Sequence, residues 1–400
     1  MSFETALTGL NAAASDLDVT GNNIANSGTA GFKYSRAEFA DIFASSNLGV
    51  SQNAIGAGVR LSKVSQQFTQ GQFDFTGNTL DLGVNGTGFF RMSDNGAVSF
   101  TRNGAFELDR DGYIVDAGGR RLTGYLATAS GSVGGALGEL QVNVGNVSPQ
   151  ATTGVDLTAN LDAGATPPAN AFDATDPDSY NFSTSTTVYD GQGNDHLATM
   201  YFRKVTDNQW EVYTDGSDGS GPQGPTTVNF DSNGNFASTG GPTSFNFNYG
   251  GAGTSTIAMD YTTLTQYGAD FDVKSVDQDG FGAGQFSSLG VESDGRIVAR
   301  FTNGQSQLLG QIALSRFPSP GNLQQVGDTN WVETFQSGAP VTAAPESSGL
   351  GAIQSGALEQ SNVNLTEQLV QMITAQRNYQ ANSQMISTQN SITQEILNLR

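Results

Sequence analysis

Both ends of this 400-residue chain carry apolar side chains at seven-residue intervals, whereas the segment between them alternates with the two-residue period of β-strands. Heptad spacing is typical of helices that pack lengthwise on other helices. The N-terminal positions are Phe3, Leu10, Leu17 and Ile24. At the C-terminal end Leu365, Met372, Tyr379 and Ile386 repeat at this interval, and a second run consists of Met385, Ile392 and Leu399 with Ile396. Leu369 is a further predicted contact position. We predict one helix at each end and a coiled-coil pairing of the two.

The predicted C-terminal helix has almost no charge. Its remaining polar positions are mostly Gln, Asn, Ser and Thr, and its only charged residues between Leu365 and Leu399 are Glu367, Arg377 and Glu395. Amide and hydroxyl side chains can be covered by protein without the cost of burying a charge. A helix of this extent is about 50 Å long, and Asn364 with Glu367 has the spacing of a capping pair at its start. Periodicity alone leaves open a core-facing helix or a simple coiled-coil dimer. The low charge favours helices surrounded by several copies of the protein.

Composition excludes several classes of partner. The chain has 17 basic and 38 acidic residues, a net charge of −21, which argues against binding to nucleic acid or an anionic membrane. There is no apolar run of the roughly 18 residues that a membrane span requires. Cysteine is absent, which excludes disulfides and thiolate metal sites. The N-terminus lacks the basic and apolar regions of a secretory signal peptide, so we expect any export to use another route.

The central part of the chain divides by composition into two β-rich regions. Short alternating segments separated by turns such as Asp94-Asn95-Gly96 begin near residue 71. Residues 146–267 are rich in Thr, Asn, Gly and Asp and contain 13 acidic residues but only two basic ones, a net charge of −11. The order helix, β, acidic β, β, helix predicts nested, discontinuous domains in a mainly β protein with α-helical termini. The predicted parts are a terminal helical domain (1–28 plus 356–400), an irregular connector of unassigned fold (29–70), an inner β-domain (71–145 plus 268–355) and an outer acidic β-domain (146–267).

No pattern in the sequence predicts catalytic chemistry. His196 is the only histidine, too few for a zinc site and without the context of a catalytic triad. The segments 109–112 and 277–280 resemble the start of a calcium loop but lack its later ligands. Paired glycosidase carboxylates remain open, because spatial pairs are invisible in a sequence. We predict no enzyme activity and no catalytic, cofactor or metal site.

Two terminal segments carry distinctive motifs. The first is residues 17–33, LDVTGNNIANSGTAGFK, and the second is residues 361–370, SNVNLTEQLV, followed by 375–382, AQRNYQAN. Together they closely resemble the terminal signatures of the bacterial flagellar rod and hook proteins. The motif positions are Asn22, Asn23, Ile24, Ala25, Asn26, Gly31, Phe32, Lys33, Gln376, Arg377, Tyr379 and Gln380. We expect Asn22, Asn23 and Asn26 to bond their own backbone or adopt left-handed turns, the glycines to permit a sharp exit, and Phe32 to anchor the connector.

The resemblance implies a structural subunit that polymerises helically in the flagellum. Such a subunit is exported unfolded by the flagellar type III apparatus through an uncleaved N-terminal region, and it acts outside the cell. The acidic insert favours the hook, the flexible universal joint that transmits torque from rod to filament. The alternative is the distal rod, whose subunit is shorter and lacks such an insert.

The same resemblance implies an arrangement of the domains and a set of partners. The terminal helices would form the inner tube, the inner β-domain a middle layer and the acidic domain the outer surface. Implied partners are further copies of the chain and the distal rod, hook cap and hook–filament junction proteins. Outside this family, a secreted adhesin or glycan-binding β-protein, or an extracellular hydrolase, are the alternative interpretations.

Overall fold

The computed structural model describes residues 3–42, 56–128, 131–142 and 145–398, without the side chain of Asn398. The chain divides into two compact units. Unit 1 contains Met1–Val144, Ser288–Arg300 and Ser306–Arg400. Unit 2 contains Gly145–Ser287 and Phe301–Gln305. The predicted contact residue Leu399 lies outside the described residues.

The two predicted terminal helices are confirmed and pack on each other in unit 1. Helix α1 spans Phe3–Ala25 and helix α2 spans Leu365–Asn398. The side chain of Asn364 accepts hydrogen bonds from the backbone nitrogens of Thr366 and Glu367, at 3.1 and 3.3 Å, and so caps the start of α2.

Ten strands follow α1 in unit 1. They are β1 (Ser35–Asp41), β2 (Val59–Gln66), β3 (Phe73–Phe75), β4 (Leu82–Asn85), β5 (Phe89–Asp94), β6 (Ala97–Thr101), β7 (Glu107–Leu108), β8 (Ile114–Val115), β9 (Arg121–Ala127) and β10 (Val133–Glu139). β1 and β2 form an antiparallel ribbon with a register shift after Glu38. The prediction that residues 29–70 are irregular is therefore wrong for this part. Most of β2 is exposed, so the ribbon lacks the clear alternation of buried and exposed residues that identifies a strand in a sequence.

Unit 2 is a β-sandwich of two five-stranded sheets. Its strands are β11 (Gly154–Asp162), β12 (Phe182–Tyr189), β13 (Asp195–Thr206), β14 (Gln209–Asp215), β15 (Gln223–Phe230), β16 (Phe236–Gly240), β17 (Ser244–Asn248), β18 (Thr254–Asp260), β19 (Thr265–Tyr267) and β20 (Asp272–Gln278). One sheet runs β12-β13-β14-β15-β16, and the other runs β17-β18-β11-β19 with β20 paired to β11. Alternate residues of the facing strands fill the core between the sheets, where Phe202, Trp210 and Phe247 are fully buried.

The chain then returns to unit 1 and completes its sheets. The strands are β21 (Phe286–Val291), β22 (Arg296–Phe301), β23 (Ser306–Ile312), β24 (Leu314–Arg316), β25 (Gln324–Gly327), β26 (Asn330–Val332), β27 (Val341–Ala343), β28 (Ala352–Ser355) and β29 (Ala357–Glu359). The main sheet follows the order β21-β22-β23-β9-β5-β6-β26-β25. Two further antiparallel pairs, β3 with β29 and β4 with β28, join early strands to the segment that leads into α2.

Candidate functional site

The seam between α1 and α2 consists of small and amide side chains. The buried residues of α1 are Ala6, Ala13, Thr20 and Asn23. Those of α2 are Gln368 and Ala375. Ala6, Ala13 and Thr20 on α1, and Gln368 and Ala375 on α2, are seven residues apart, and Asn23 lies three residues after Thr20. Gly9 also lies at the seam, because a Cβ atom there would stand 2.7 Å from the side-chain oxygen of Asn382. The helices therefore approach closely along the residues between the bulky heptad positions.

The bulky residues that we predicted as contact positions flank this seam. Leu10, Leu17, Ile24, Met372 and Ile386 are half-buried. Phe3, Leu365, Leu369, Tyr379, Ile392 and Ile396 are exposed. Large side chains cannot enter a seam that is narrow enough for alanine, so they lie at its edges.

Helix α2 presents an extensive apolar surface to solvent in the single chain. The large apolar side chains that are at least 39% exposed are Leu365, Leu369, Val370, Ile373, Tyr379, Ile392, Ile396 and Leu397. The motif residues Gln376, Arg377 and Gln380 are exposed on the same helix. Large apolar side chains exposed in this number, on a helix with few charges, are typical of a protein–protein contact.

Asn23 ties α1 to both neighbouring segments. Its Oδ1 accepts a hydrogen bond from the backbone nitrogen of Ser35 at 2.8 Å, and its Nδ2 donates to the carbonyl oxygen of Ser35 at 2.7 Å. Nδ2 also donates to Oε1 of Gln368 on α2 at 2.9 Å. The prediction that Asn23 bonds its own local backbone is wrong: its side chain is buried and faces the start of β1 and α2. Asn26 does bond locally, from Nδ2 to the carbonyl of Asn22 at 3.0 Å.

Lys33 belongs to a fully buried ionic cluster, which we call the junction and define as Lys33, Arg102 and Glu359. Nζ of Lys33 donates to Oε1 of Glu359 at 2.6 Å and to the carbonyl oxygen of Thr69 at 2.8 Å. The guanidinium of Arg102 lies 3.5 Å from Oε2 of Glu359. Burial lowers the pKa of Lys33, and the charge of Glu359 opposes that shift. Burial likewise lowers the pKa of Arg102. The junction therefore depends on one carboxylate to compensate two buried cations.

Gly31 and Phe32 lie in the segment that connects the end of α1 to Lys33 of the junction. Gly31 has φ +71°, and a Cβ atom there would lie 2.4 Å from the backbone nitrogen of Asn103. Its own nitrogen donates to the carbonyl oxygen of Glu359 at 2.7 Å. Phe32 is buried, as predicted for an anchor, whereas Ala25 is exposed at the end of α1.

Three residues at this site were missed as individual positions: Glu359, Asn362 and Gln368. Asn362 accepts from the backbone nitrogen of Tyr34 at 2.8 Å and donates to the carbonyl oxygen of Gln67 at 2.8 Å. The available signal was the scarcity of charge, because only 14% of residues are charged. An isolated Glu beside a family motif in such a chain is a candidate partner for an isolated Lys in the other motif.

Neither a cluster of potential metal ligands nor a membrane-spanning helix is found among the described residues. Within residues 3–42, 56–128, 131–142 and 145–398, no group of three or more acidic or histidine side chains could hold a metal ion. No helix in that part of the chain is long and apolar enough to cross a membrane. Nε2 of His196 lies 3.0 Å from Oδ2 of Asp190, and the imidazole stacks on Tyr249, as expected for a histidine that stabilises a turn.

Family models of flagellar proteins match four segments of the chain. The model "Flagella basal body rod protein" matches residues 3–33, and "Flagellar hook protein FlgE/F/G D1 domain" matches residues 83–160. The model "Flagellar basal body protein FlaE D2 domain" matches residues 160–281, and "Flagellar basal body rod FlgEFG protein C-terminal" matches residues 354–399. The first and last matches contain α1, the motif residues and α2.

The similarity to relatives extends over the full length of the chain. The flagellar hook protein FlgE of Salmonella typhimurium is 39% identical over 100% of both chains, and that of Escherichia coli is 39% identical with the same coverage. FlgE of Borreliella burgdorferi is 32% identical over 100% of this chain and 99% of the relative. The crystal structure of Helicobacter pylori flagellar hook protein FlgE2 has a similar fold, with a TM-score of 0.55 at 15% identity over 73% of this chain and 100% of that one. The chain therefore belongs to the flagellar hook protein FlgE family.

Proposed function

We propose that this hook structural subunit polymerises through the exposed faces of α1 and α2, which other copies of the chain cover to form the inner tube of the flagellar hook. The observation that carries the proposal is the apolar surface of α2, on which Gln368 and Ala375 are the buried positions among the described residues. Covering one half-exposed Leu or Ile contributes about 1 kcal/mol. The exposed set on α2 thus supplies several kcal/mol for each subunit that joins the polymer.

The polar residues of α2 suit a joint that bends as it rotates. Each subunit of a curved, rotating tube must shift against its neighbours, and contacts between Gln, Asn, Ser and Thr can exchange at low cost because no charge is buried or exposed. We infer that this is how the polymer transmits torque from rod to filament while it remains flexible.

We further propose that the nested domains form concentric layers. The helical domain (1–28 plus 356–400) is axial, the inner β-domain (71–145 plus 268–355) forms the middle layer, and the connector (29–70) links them. The outer domain (146–267) faces solvent, which its net charge of −11 supports, because like charges on the outer surface oppose lateral association of finished tubes. A chain in which a short linker replaces residues 146–267 should still polymerise but give tubes of altered curvature in electron micrographs.

Export and further partners complete the proposal. We infer a subunit that the type III apparatus exports unfolded to the outside of the cell, with no enzymatic role. At its ends the polymer meets the distal rod, the hook cap and the hook–filament junction proteins. The full-length similarity to hook proteins supports the hook over the distal rod, and cells that lack this chain should then retain a rod without its curved extension.

The test compares the same substitution at two leucines of similar exposure. Leu369 on α2 is 45% exposed and Leu197 on β13 is 51% exposed. Leu369→Lys should raise the critical concentration for polymerisation about tenfold or more, because the charge would be buried between subunits. Leu197→Lys should leave it unchanged. Equal critical concentrations, measured by sedimentation and electron microscopy, would exclude α2 as the axial contact.

In a second test, amide exchange over residues 3–24 and 365–398 should slow on polymerisation, and full protection of these amides in the dilute monomer would also contradict the proposal.

A further inference from the structure

A fully exposed phenylalanine projects from a rigid turn of unit 1. The side chain of Phe335 is 102% exposed. The turn that carries it is held at both ends, because the backbone nitrogen of Thr334 donates to Oγ of Ser337 at 2.9 Å and the nitrogen of Ser337 donates to the carbonyl of Thr334 at 3.1 Å. Oγ1 of Thr334 also donates to the carbonyl of Asn322 at 2.7 Å. Because the backbone of this turn is already held, insertion of the ring into a partner does not require the turn to be ordered as well.

The same unit contains an apolar cavity of about 320 Å³. The aromatic cluster of Phe68, Phe89 and Phe317 lines it, together with Pro320. Rings in this cluster meet edge to face, with the centroids of Phe68 and Phe89 5.3 Å apart. The cavity has the chemistry of a binding pocket for one more ring.

Opposite charges lie beside the ring and the cavity. Arg316 lines the cavity and is exposed, and Glu333 lies two residues before Phe335 and is also exposed. Neither Arg316 nor Glu333 has an ion pair with any residue in the described part of the chain. The turn that carries Phe335 thus has a negative charge beside it, and the cavity has a positive charge at its lining.

We infer that Phe335 of one subunit inserts into this cavity of a neighbouring subunit, with Glu333 of the first facing Arg316 of the second. Phe335 does not occupy the cavity of its own chain, because it is fully exposed. A contact between two different patches of the same protein repeats from copy to copy and, where the rotation does not close a ring, builds an open helical array. The inference rests on the proposed polymerisation and adds to it a contact between β-domains that is independent of α1 and α2.

Cysteine cross-linking tests the contact directly, because the natural chain has no cysteine. The single variants Phe335→Cys and Thr87→Cys, the latter at the cavity, are mixed in equal amounts, polymerised and oxidised. We expect covalent dimers from the mixed polymer. A mixture of Phe335→Cys with Arg110→Cys, at a fully exposed turn, is the control and should give none. Absence of dimers in the first mixture, or equal yields in both, would overturn the inference.

The double variant Phe335→Cys/Thr87→Cys distinguishes a contact between neighbouring copies from a contact within one chain. Oxidised in the polymer, it should give a ladder of covalent oligomers. An internal disulfide in the dilute monomer, seen as a faster band on a non-reducing gel, would overturn the inference. So would a closed dimer in dilute solution that is lost on Phe335→Ala.

The critical concentrations for polymerisation of three variants test the Phe335 contact separately from the proposed function. Phe335→Ala should raise the critical concentration about 10- to 100-fold, the size expected for loss of one buried Phe side chain. Arg316→Glu should raise it about two- to fivefold, and adding Glu333→Arg should restore it. Polymers that form normally with all these variants would refute the Phe335 contact alone, whereas failure of the natural chain to polymerise would refute the proposed function.

Discussion

Replacing Glu359 with Gln removes the carboxylate that the two buried cations of the junction share. Lys33 lies 2.6 Å from one carboxylate oxygen and Arg102 lies 3.5 Å from the other. The backbone nitrogen of Gly71 also donates to this carboxylate, at 2.8 Å. Breaking a buried ion pair by removal of one partner costs about 3–5 kcal/mol, because the remaining charge stays uncompensated. We expect Glu359→Gln to lower the free energy of unfolding of unit 1 by at least that amount, since two cations lose their partner.

Lys33→Met is the matched comparison. It removes one cation but leaves Glu359 with Arg102 and with the backbone nitrogen of Gly71. The remaining charges then balance, so we expect a loss of about half that of Glu359→Gln or less. The predicted order follows from the charge count of the junction.

The two tryptophans allow each unit to be followed separately. Trp331 packs against Phe68 in unit 1, and Trp210 is buried in unit 2. In a Trp210→Phe background, Trp331 is the only tryptophan, and its fluorescence follows the urea unfolding of unit 1. A loss of 3–5 kcal/mol would move the midpoint by about 1–2 M urea. A change below about 1 kcal/mol for Glu359→Gln, or a larger loss for Lys33→Met, would refute the charge-balance argument.

Three further predictions concern single side chains. Gly31→Ala should destabilise unit 1 by about 1–3 kcal/mol, because the residue has φ +71° and its Cβ would contact backbone, whereas Gly28→Ala, where space is open, should have no such effect on the Trp331 transition. Asn23→Ala should cost about 2 kcal/mol or more in the same assay, because it leaves two backbone groups of β1 unpaired, and Asn22→Ala, at an exposed position, should be close to neutral. Burial raises the pKa of Asp190, but hydrogen bonds, first from His196 and then from Asn194 and Gln192, outweigh it and leave that pKa below its usual value. The carboxylate should therefore stabilise unit 2 above about pH 4 and lose this contribution as the pH falls through the native pKa, so the loss in Asp190→Asn, followed through Trp210, should shrink in acid.

Local features of the fold were predictable because their signals are local. The turn Asp94-Asn95-Gly96 joins β5 to β6 as predicted, with positive φ at Asn95 and Gly96. Asn364 caps α2 at the position that its spacing to Glu367 indicated. In each case the residues that form the feature lie within a few positions of one another.

The helix seam shows where periodicity stops being informative. The heptad pattern located both helices, but we assigned their contact to the bulky row that includes Leu10 and not to the small row that includes Ala13. Only the small row is buried, because the distance between the helix axes is set by the smallest residues, Ala13 and Ala375 among them. That distance is a property of the pair and is absent from either sequence segment alone.

The junction could not be predicted for a related reason. Lys33 and Glu359 are 326 positions apart, and no local pattern specifies which distant charge a buried lysine meets. The connector shows the same limit, since the β1–β2 ribbon is largely exposed and so carries a weak pattern. The four-part division of the chain stays a prediction.

The pairing of the first strands with the last ones has a kinetic consequence. Bringing together positions 326 residues apart costs about 5 kcal/mol of chain entropy. In unit 1 the contacts that offset this entropy cost form only once β28, β29 and α2 are available. Nearly all of unit 2, in contrast, is one contiguous stretch of the chain. We expect the sandwich to acquire structure first as the chain is synthesised or released from N- to C-terminus, and the helical ends to assemble last. A subunit built in this way keeps the polymerising surface that we propose incomplete until its final residues have emerged, which would delay association with neighbours.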